Sequence, residues 1–212
     1  MIDCLPYFIE ISLAINGLLI VPDPNKILSA PFLKYKSASC KDFIPPPTES
    51  GTKQLVEKKF MDKTTNEILD ELGSPKFIEV VSKITGIQNL FLDKALGGGG
   101  LNQVFNGGSL NIHTDFIPHI KEKNWKRVLN LIIYLNHDWK SSYKGELEFW
   151  DEKVKNKIKS ISPTFNRCVI FKTDKKSFRG HPEKMNLPDG VSRKSIIIYY
   201  LVKEEKEQKI YS

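Results

Sequence analysis

Between Leu101 and Val202 the chain is a series of short strand-like segments broken by turn residues, and this pattern limits the fold more than any other feature. Leu101 to Phe105, Ser109 to Phe116, Arg127 to Leu135, Gly145 to Trp150, Val169 to Phe171 and Ser195 to Val202 are rich in β-branched and aromatic residues or alternate apolar with polar. Asn106-Gly107-Gly108 and other Gly, Asn, Asp and Pro clusters separate them. Short strands cannot bury their apolar faces singly, so many in series imply a sandwich, barrel or jelly roll. With 212 residues, 40% of them hydrophobic, the chain can bury one substantial core. The expected class is mainly β with flanking helices, in one domain.

The flanking helices are expected within residues 54–86. Leu55, Val56, Phe60, Ile68, Leu69 and Leu72 recur at three-to-four spacing, which predicts a helix from Gln54 to Leu72 with Gly73 as its stop. Ser74-Pro75 reads as N-cap and first helical residue of a second helix, with Phe77, Ile78, Val81 and Ile84 as its apolar stripe and Gly86 as its end. Residues 1–50 form an N-terminal extension whose Pro-rich stretches, Val21 to Asn25 and Phe43 to Pro47, cannot continue a helix or central strand. Its apolar run Ile2 to Val21 carries Asp3 and Glu10 and is interrupted by Pro6 and Gly17, so a packed or partly ordered extension is expected and not a signal or a membrane span. The main domain is expected over 51–203, with its β core at about 97–202, and 204–212 is a charged tail. Gly97 to Gly100 lacks the Gly-Lys-Ser/Thr ending of a phosphate loop and reads as a flexible turn.

Charge and cysteines narrow the function classes. The net charge is +7, but the lysines are scattered through polar segments such as 121–126, 153–159 and 172–176, without the aromatic interleaving of a nucleic-acid platform. No specific nucleic-acid partner is expected. Cys4, Cys40 and Cys168 are widely spaced and odd in number, which suits a reducing, intracellular setting. Cys168, beside an apolar strand, is expected to be inert.

The chemistry centres on His113-Thr114-Asp115, followed far along the chain by His181 in Arg179-Gly180-His181-Pro182. On a strand, His113 and Asp115 share a face. Two imidazoles and one carboxylate make the 2-His-1-carboxylate set that holds non-haem Fe(II) with positions left open. Beyond His181, strand alternation places Arg193, Ser195 and Ile197 on one face, and a guanidinium beside a hydroxyl is a selective carboxylate receptor. His119 and His137 read as loop residues, while Trp139, Phe149 and Trp150 read as packing.

Set in order, Gly98-Gly99-Gly100-Leu101, His113-Thr114-Asp115, Tyr134-Leu135-Asn136 with Asp138-Trp139, Gly145-Glu146-Leu147, Pro163 to Phe171, Gly180-His181-Pro182 and Arg193-Lys194-Ser195 resemble the prolyl 4-hydroxylase-like group of Fe(II)- and 2-oxoglutarate-dependent oxygenases. The resemblance runs from about Phe77 to Leu201. It implies a double-stranded β-helix, with Fe(II) on His113, Asp115 and His181 and the distal carboxylate of 2-oxoglutarate on Arg193, assisted by Tyr134. It also implies O2 as oxidant, ascorbate as an accessory reductant, and hydroxylation of an aliphatic C–H with release of succinate and CO2. A departure lies at Gln103, where many relatives carry a tyrosine.

Three function classes follow: a hydroxylase of a peptidyl prolyl residue, free amino acid or other small molecule; a nucleic-acid oxidative demethylase, favoured only by the charge; and a non-catalytic jelly-roll binding protein, which has little need for the ligands and the clamp together. A halogenase is disfavoured because Asp115 occupies the position halide would need. The first class is the expectation, with a peptide, protein or small-molecule partner and no membrane.

Overall fold

The computed structural model describes residues 8–12, 52–56, 61, 63–115 and 124–204, and they build two antiparallel sheets with two helices against one of them. The strands are β1 (Phe8–Ser12), β2 (Lys53–Val56), β3 (Phe91–Leu92), β4 (Gly100–Val104), β5 (Leu110–His113), β6 (Trp125–Tyr134), β7 (Leu147–Trp150), β8 (Lys157–Ile161), β9 (Arg167–Lys172), β10 (Phe178–His181) and β11 (Arg193–Lys203). The helices are α1 (Lys63–Leu72) and α2 (Pro75–Thr85). The larger sheet runs β1-β9-β6-β11-β4-β2 with β3 added on β11, and the smaller runs β5-β10-β7-β8. Two facing sheets joined in this order form the double-stranded β-helix.

Strand β6 shows how the sequence produces the layers. It is hydrogen-bonded to β11 on one side and β9 on the other, so both its faces must be apolar where they are covered. Leu129, Leu131 and Ile133 point to the helices, packing with Ile68, Leu69 and Leu72 of α1 and Phe77 and Val81 of α2. Ile132 and Tyr134 point the other way, into a core between the sheets with Phe149, Val169 and Phe171. Phe149 and Phe171 meet edge to face there, their ring centroids 5.1 Å apart.

Helix α2 has the predicted boundaries. The Ser74 hydroxyl accepts from the Phe77 N–H at 3.2 Å, Pro75 fills the first turn, and Gly86 closes the helix at φ 73°. Helix α1 is shorter than predicted: it starts at Lys63, and Lys53–Val56 is instead strand β2, paired with β4. The apolar spacing of Leu55, Val56 and Phe60 ran into the true helix, but a sheet edge was available to the first residues and their ladder outweighed a marginal local preference. At the end of α1, the buried Tyr200 hydroxyl donates to the Leu72 carbonyl at 2.8 Å, joining helix and sheet.

Part of the N-terminal extension belongs to the fold, since Phe8–Ser12 pairs along β9. The expectations for Phe116, His119, Cys4, Cys40 and the tail beyond Glu204 lie outside the described residues. Among the described residues no helix is long and apolar enough to cross a membrane.

Candidate active site

A cavity of about 410 Å³ opens between the two sheets, and it is bordered by His113, Asp115, His181, Arg193 and Ser195. Four different segments deliver these residues. His113 ends β5, and Asp115 follows it outside the strand, so the predicted continuous strand to Phe116 stops early. The two side chains still meet, His113 Nε2 lying 3.5 Å from Asp115 Oδ1.

Each ligand candidate is oriented by a second contact or by its burial. His113 Nδ1 lies 2.7 Å from the Asn111 carbonyl oxygen. A carbonyl only accepts, so Nδ1 carries the hydrogen and Nε2 keeps its lone pair for a metal. Asp115 Oδ2 is held by the Arg179 guanidinium and by Asn130 Nδ2 at 3.1 Å, which leaves Oδ1 turned toward His113. His181 is 5% exposed, and its Nδ1 has no hydrogen-bond partner among the described residues. Burial, aided by the charges of Arg193 and Lys53, lowers the His181 pKa and keeps the ring neutral, the form that ligates.

Strand β10 brings His181 to this place. It lies between β5 and β7, with Arg179 opposite His113 and a register shift before His181 pairs with Leu110. The strands approach closely at Gly180, where a Cβ would stand 2.7 Å from the Leu110 carbonyl oxygen and 2.8 Å from that of Asn111. Two imidazoles and one carboxylate are the donor types that a divalent transition metal takes. Ligands about 2.1 Å from such an ion at right angles are about 3 Å apart, close to the His113–Asp115 spacing. His113 and Asp115 are the pair in contact, and among the described residues no three His, Cys, Asp or Glu side chains are grouped closely enough to hold a metal ion as they stand.

The residues expected to receive a carboxylate lie along β11. Arg193, Ser195, Ile197 and Tyr199 all border the cavity, as alternation requires. Arg193 is 5% exposed, and its Nε donates to the Gly145 carbonyl at 2.8 Å while Nη2 donates to the Tyr134 hydroxyl at 3.3 Å. Burial raises the Tyr134 pKa, with Arg193 opposing, so the phenol stays neutral and keeps its own hydrogen. Lys194 points to the other face, and its N–H donates to Asn136 Oδ1 at 2.6 Å.

Gln103 does not border the cavity. Its amide donates to the Ser192 hydroxyl at 2.6 Å, whereas its neighbours Asn102 and Val104 face inward. His137 is exposed and stacks on Phe165 at 3.9 Å, and Trp139 packs against Tyr143. Among the cavity residues that were not foreseen are Arg179, Asn130 and Arg127. Arg179 stands two residues before His181, so alternation alone puts it on the ligand face. Asn130 is the one amide in the apolar run 128–135, and that interruption was the available signal.

A sequence model of the 2OG-Fe(II) oxygenase superfamily matches residues 99–201. Among solved structures, a Pseudomonas putida prolyl-4-hydroxylase is similar, with a TM-score of 0.56 at 12% identity over 95% of this chain and 94% of that one. A viral collagen prolyl hydroxylase from Paramecium Bursaria Chlorella virus-1, solved with 2OG, gives a TM-score of 0.58 at 14% identity over 92% of this chain and 96% of that one. No curated protein matches by sequence.

Proposed function

We propose, from the match of residues 99–201 to the 2OG-Fe(II) oxygenase superfamily model, that the protein is a hydroxylase using Fe(II), 2-oxoglutarate and O2. In this reading His113, Asp115 and His181 hold the iron, and Arg193, Tyr134 and Ser195 receive the cosubstrate. The observation that carries it is that His113, Asp115 and His181 border one cavity with Arg193 and Ser195, while Tyr134 bonds the same guanidinium.

The chain's own residues have distinct tasks. Asn111 fixes the His113 ring, and Arg179 with Asn130 occupies one Asp115 oxygen, so a single carboxylate oxygen is offered to the metal. Burial pushes the Arg179 pKa down only to about 10, so it remains charged at neutral pH. Arg193 supplies a planar, charge-assisted contact to a carboxylate, and the Tyr134 hydroxyl, which accepts from Arg193, has its hydrogen left to donate to the same group. Iron, 2-oxoglutarate and O2, when bound, would supply the oxidation: one oxygen atom of O2 ends in succinate as the cosubstrate loses CO2, and the other turns a substrate C–H into C–OH.

The named activities of the similar structures favour a peptidyl prolyl residue as the substrate, with a free amino acid or other small molecule as the second choice. Ascorbate belongs in the assay as reductant. The test is succinate formation in the presence of Fe(II), 2-oxoglutarate and panels of prolyl peptides and amino acids. Substrate-stimulated succinate with a matching hydroxylated product is expected. Succinate coupled to oxidation of a nucleobase, and to no peptide or amino acid, would replace this substrate choice with the demethylase reading.

A further inference from the structure

The stretch matched to the oxygenase superfamily, residues 99–201, does not supply the whole cavity wall. Lys53 and Leu55 of β2 border the cavity as well. Strand β2 lies at the edge of the larger sheet, along β4, and its start is fixed where the Phe105 N–H donates to the Thr52 carbonyl at 3.2 Å.

Register arranges this wall in rows, because residues directly opposite one another on neighbouring strands share a face. One row is Leu55, Asn102, Ser195 and Tyr134, paired in that order across β2, β4, β11 and β6. The next row is Lys53, Val104 and Arg193. Lys53 and Arg193 therefore stand at one level, on either side of the buried Val104, and both border the cavity. Two strand spacings, about 10 Å, separate their backbones. Two long side chains entering the same cavity can close such a gap around one small anion.

The two rows differ in what they offer a carboxylate. Asn102 is buried, its Nδ2 donates to the Gly100 carbonyl at 2.9 Å, and its Oδ1 has no hydrogen-bond partner among the described residues. An ionised carboxylate only accepts, so an unpartnered acceptor oxygen disfavours it at that level and the row with two cations favours it. In that row Arg193 is tied by Nε to the Gly145 carbonyl and by Nη2 to the Tyr134 hydroxyl, so Arg193 and Tyr134 meet a ligand from the β6 side. On the β4 side the Val104 side chain has no donor, and the donor that reaches across it is Lys53. Lys53 has an interaction of its own within the protein, and an ammonium with its three hydrogens can keep that and still donate to a ligand.

We infer that Lys53 is a second cation of the cosubstrate receptor, its ammonium donating to the same carboxylate of 2-oxoglutarate that Arg193 holds. The inference rests on the oxygenase reading and adds to it a binding residue from a strand that lies outside the matched region. An inward-pointing lysine on an edge strand also discourages pairing with another chain. That role alone would leave cosubstrate affinity unchanged.

The test is calorimetric titration of 2-oxoglutarate into the full chain loaded with Mn(II), comparing wild type with Lys53→Met and Lys53→Arg. Lys53→Met keeps an unbranched stem and removes the charge, and it should weaken 2-oxoglutarate about tenfold, the effect of losing one charge-assisted contact. Lys53→Arg, which keeps a charged donor, should bind within about threefold of wild type. The probe 2-oxopentanoate has the same 2-oxo acid end and no distal carboxylate, so its affinity, like that for Mn(II), should differ by less than about twofold between Lys53→Met and wild type. Wild-type affinity for 2-oxoglutarate in Lys53→Met, no recovery in Lys53→Arg, or an equal loss for 2-oxopentanoate would overturn the inference. In each of those cases 2-oxoglutarate binding by the wild-type protein leaves the oxygenase reading standing, whereas a wild-type protein that binds none counts against that reading.

Discussion

Several side chains in this cavity are each held by a polar atom that the fold supplies for that purpose. Arg193 depends on the Gly145 carbonyl and the Tyr134 hydroxyl, and His113 on the Asn111 carbonyl. Arg193→Leu should therefore weaken 2-oxoglutarate binding by about 2–5 kcal/mol, much of it the cost of leaving the ligand carboxylate unpaired in a buried site. An unchanged affinity by calorimetry would move the receptor elsewhere, with Lys194 the first to test. At the opposite extreme, Cys168 is 2% exposed and burial pushes its thiol up to about 12, so it should resist alkylation in the native protein and react only on unfolding. Rapid labelling of the native chain, with the modified residue mapped to Cys168, would contradict this. Arg193 and Ser195 were legible as a pair because strand alternation fixes which residues share a face, whereas His113 and Asp115 were legible by their spacing although Asp115 lies outside β5. Arg127 was not, since its direction comes from a bulge that depends on a partner strand about 70 residues away.

Elements were legible where their own residues decide them. Strands β4, β6, β7, β9 and β11 carry apolar or alternating runs, and α2 announces itself by Ser74, Pro75 and Gly86. Those decided by partners were missed. Strand β8, Lys157–Ile161, is a mostly exposed edge that reads as lysine-rich loop, and β10 contains a glycine and is followed by proline. Strand β10 is nevertheless the element on which the site depends, because it carries Arg179 and His181 in contact with both neighbours. Gly180→Ala should force it away from β5, since the clash is with backbone oxygens and cannot be relieved by turning a side chain. The expected loss is about 1–3 kcal/mol in chemical denaturation, with weaker Mn(II) binding in the folded fraction. Wild-type stability with wild-type metal affinity would show that β5 and β10 do not need this close approach.

For the molecule as a whole, the +7 charge is best understood by where it lies. Surface lysines such as Lys63, Lys83 and Lys176 pair with neighbouring glutamates and are well exposed, whereas among the described residues the cations bordering the cavity stand around one carboxylate, Asp115. Oligonucleotide binding should accordingly be weak, insensitive to sequence and abolished by moderate salt. A tight, sequence-dependent complex that survives such salt would contradict this. The central claim is that one cavity assembles both a metal site and a 2-oxoglutarate receptor, and the most direct measurement is calorimetric titration of 2-oxoglutarate into the protein with and without Mn(II). Binding is predicted to be one to one, to require the metal, and to be lost in His113→Ala, Asp115→Ala and His181→Ala variants that remain folded by circular dichroism. Binding that needs no metal, or that survives in all three variants, would contradict it.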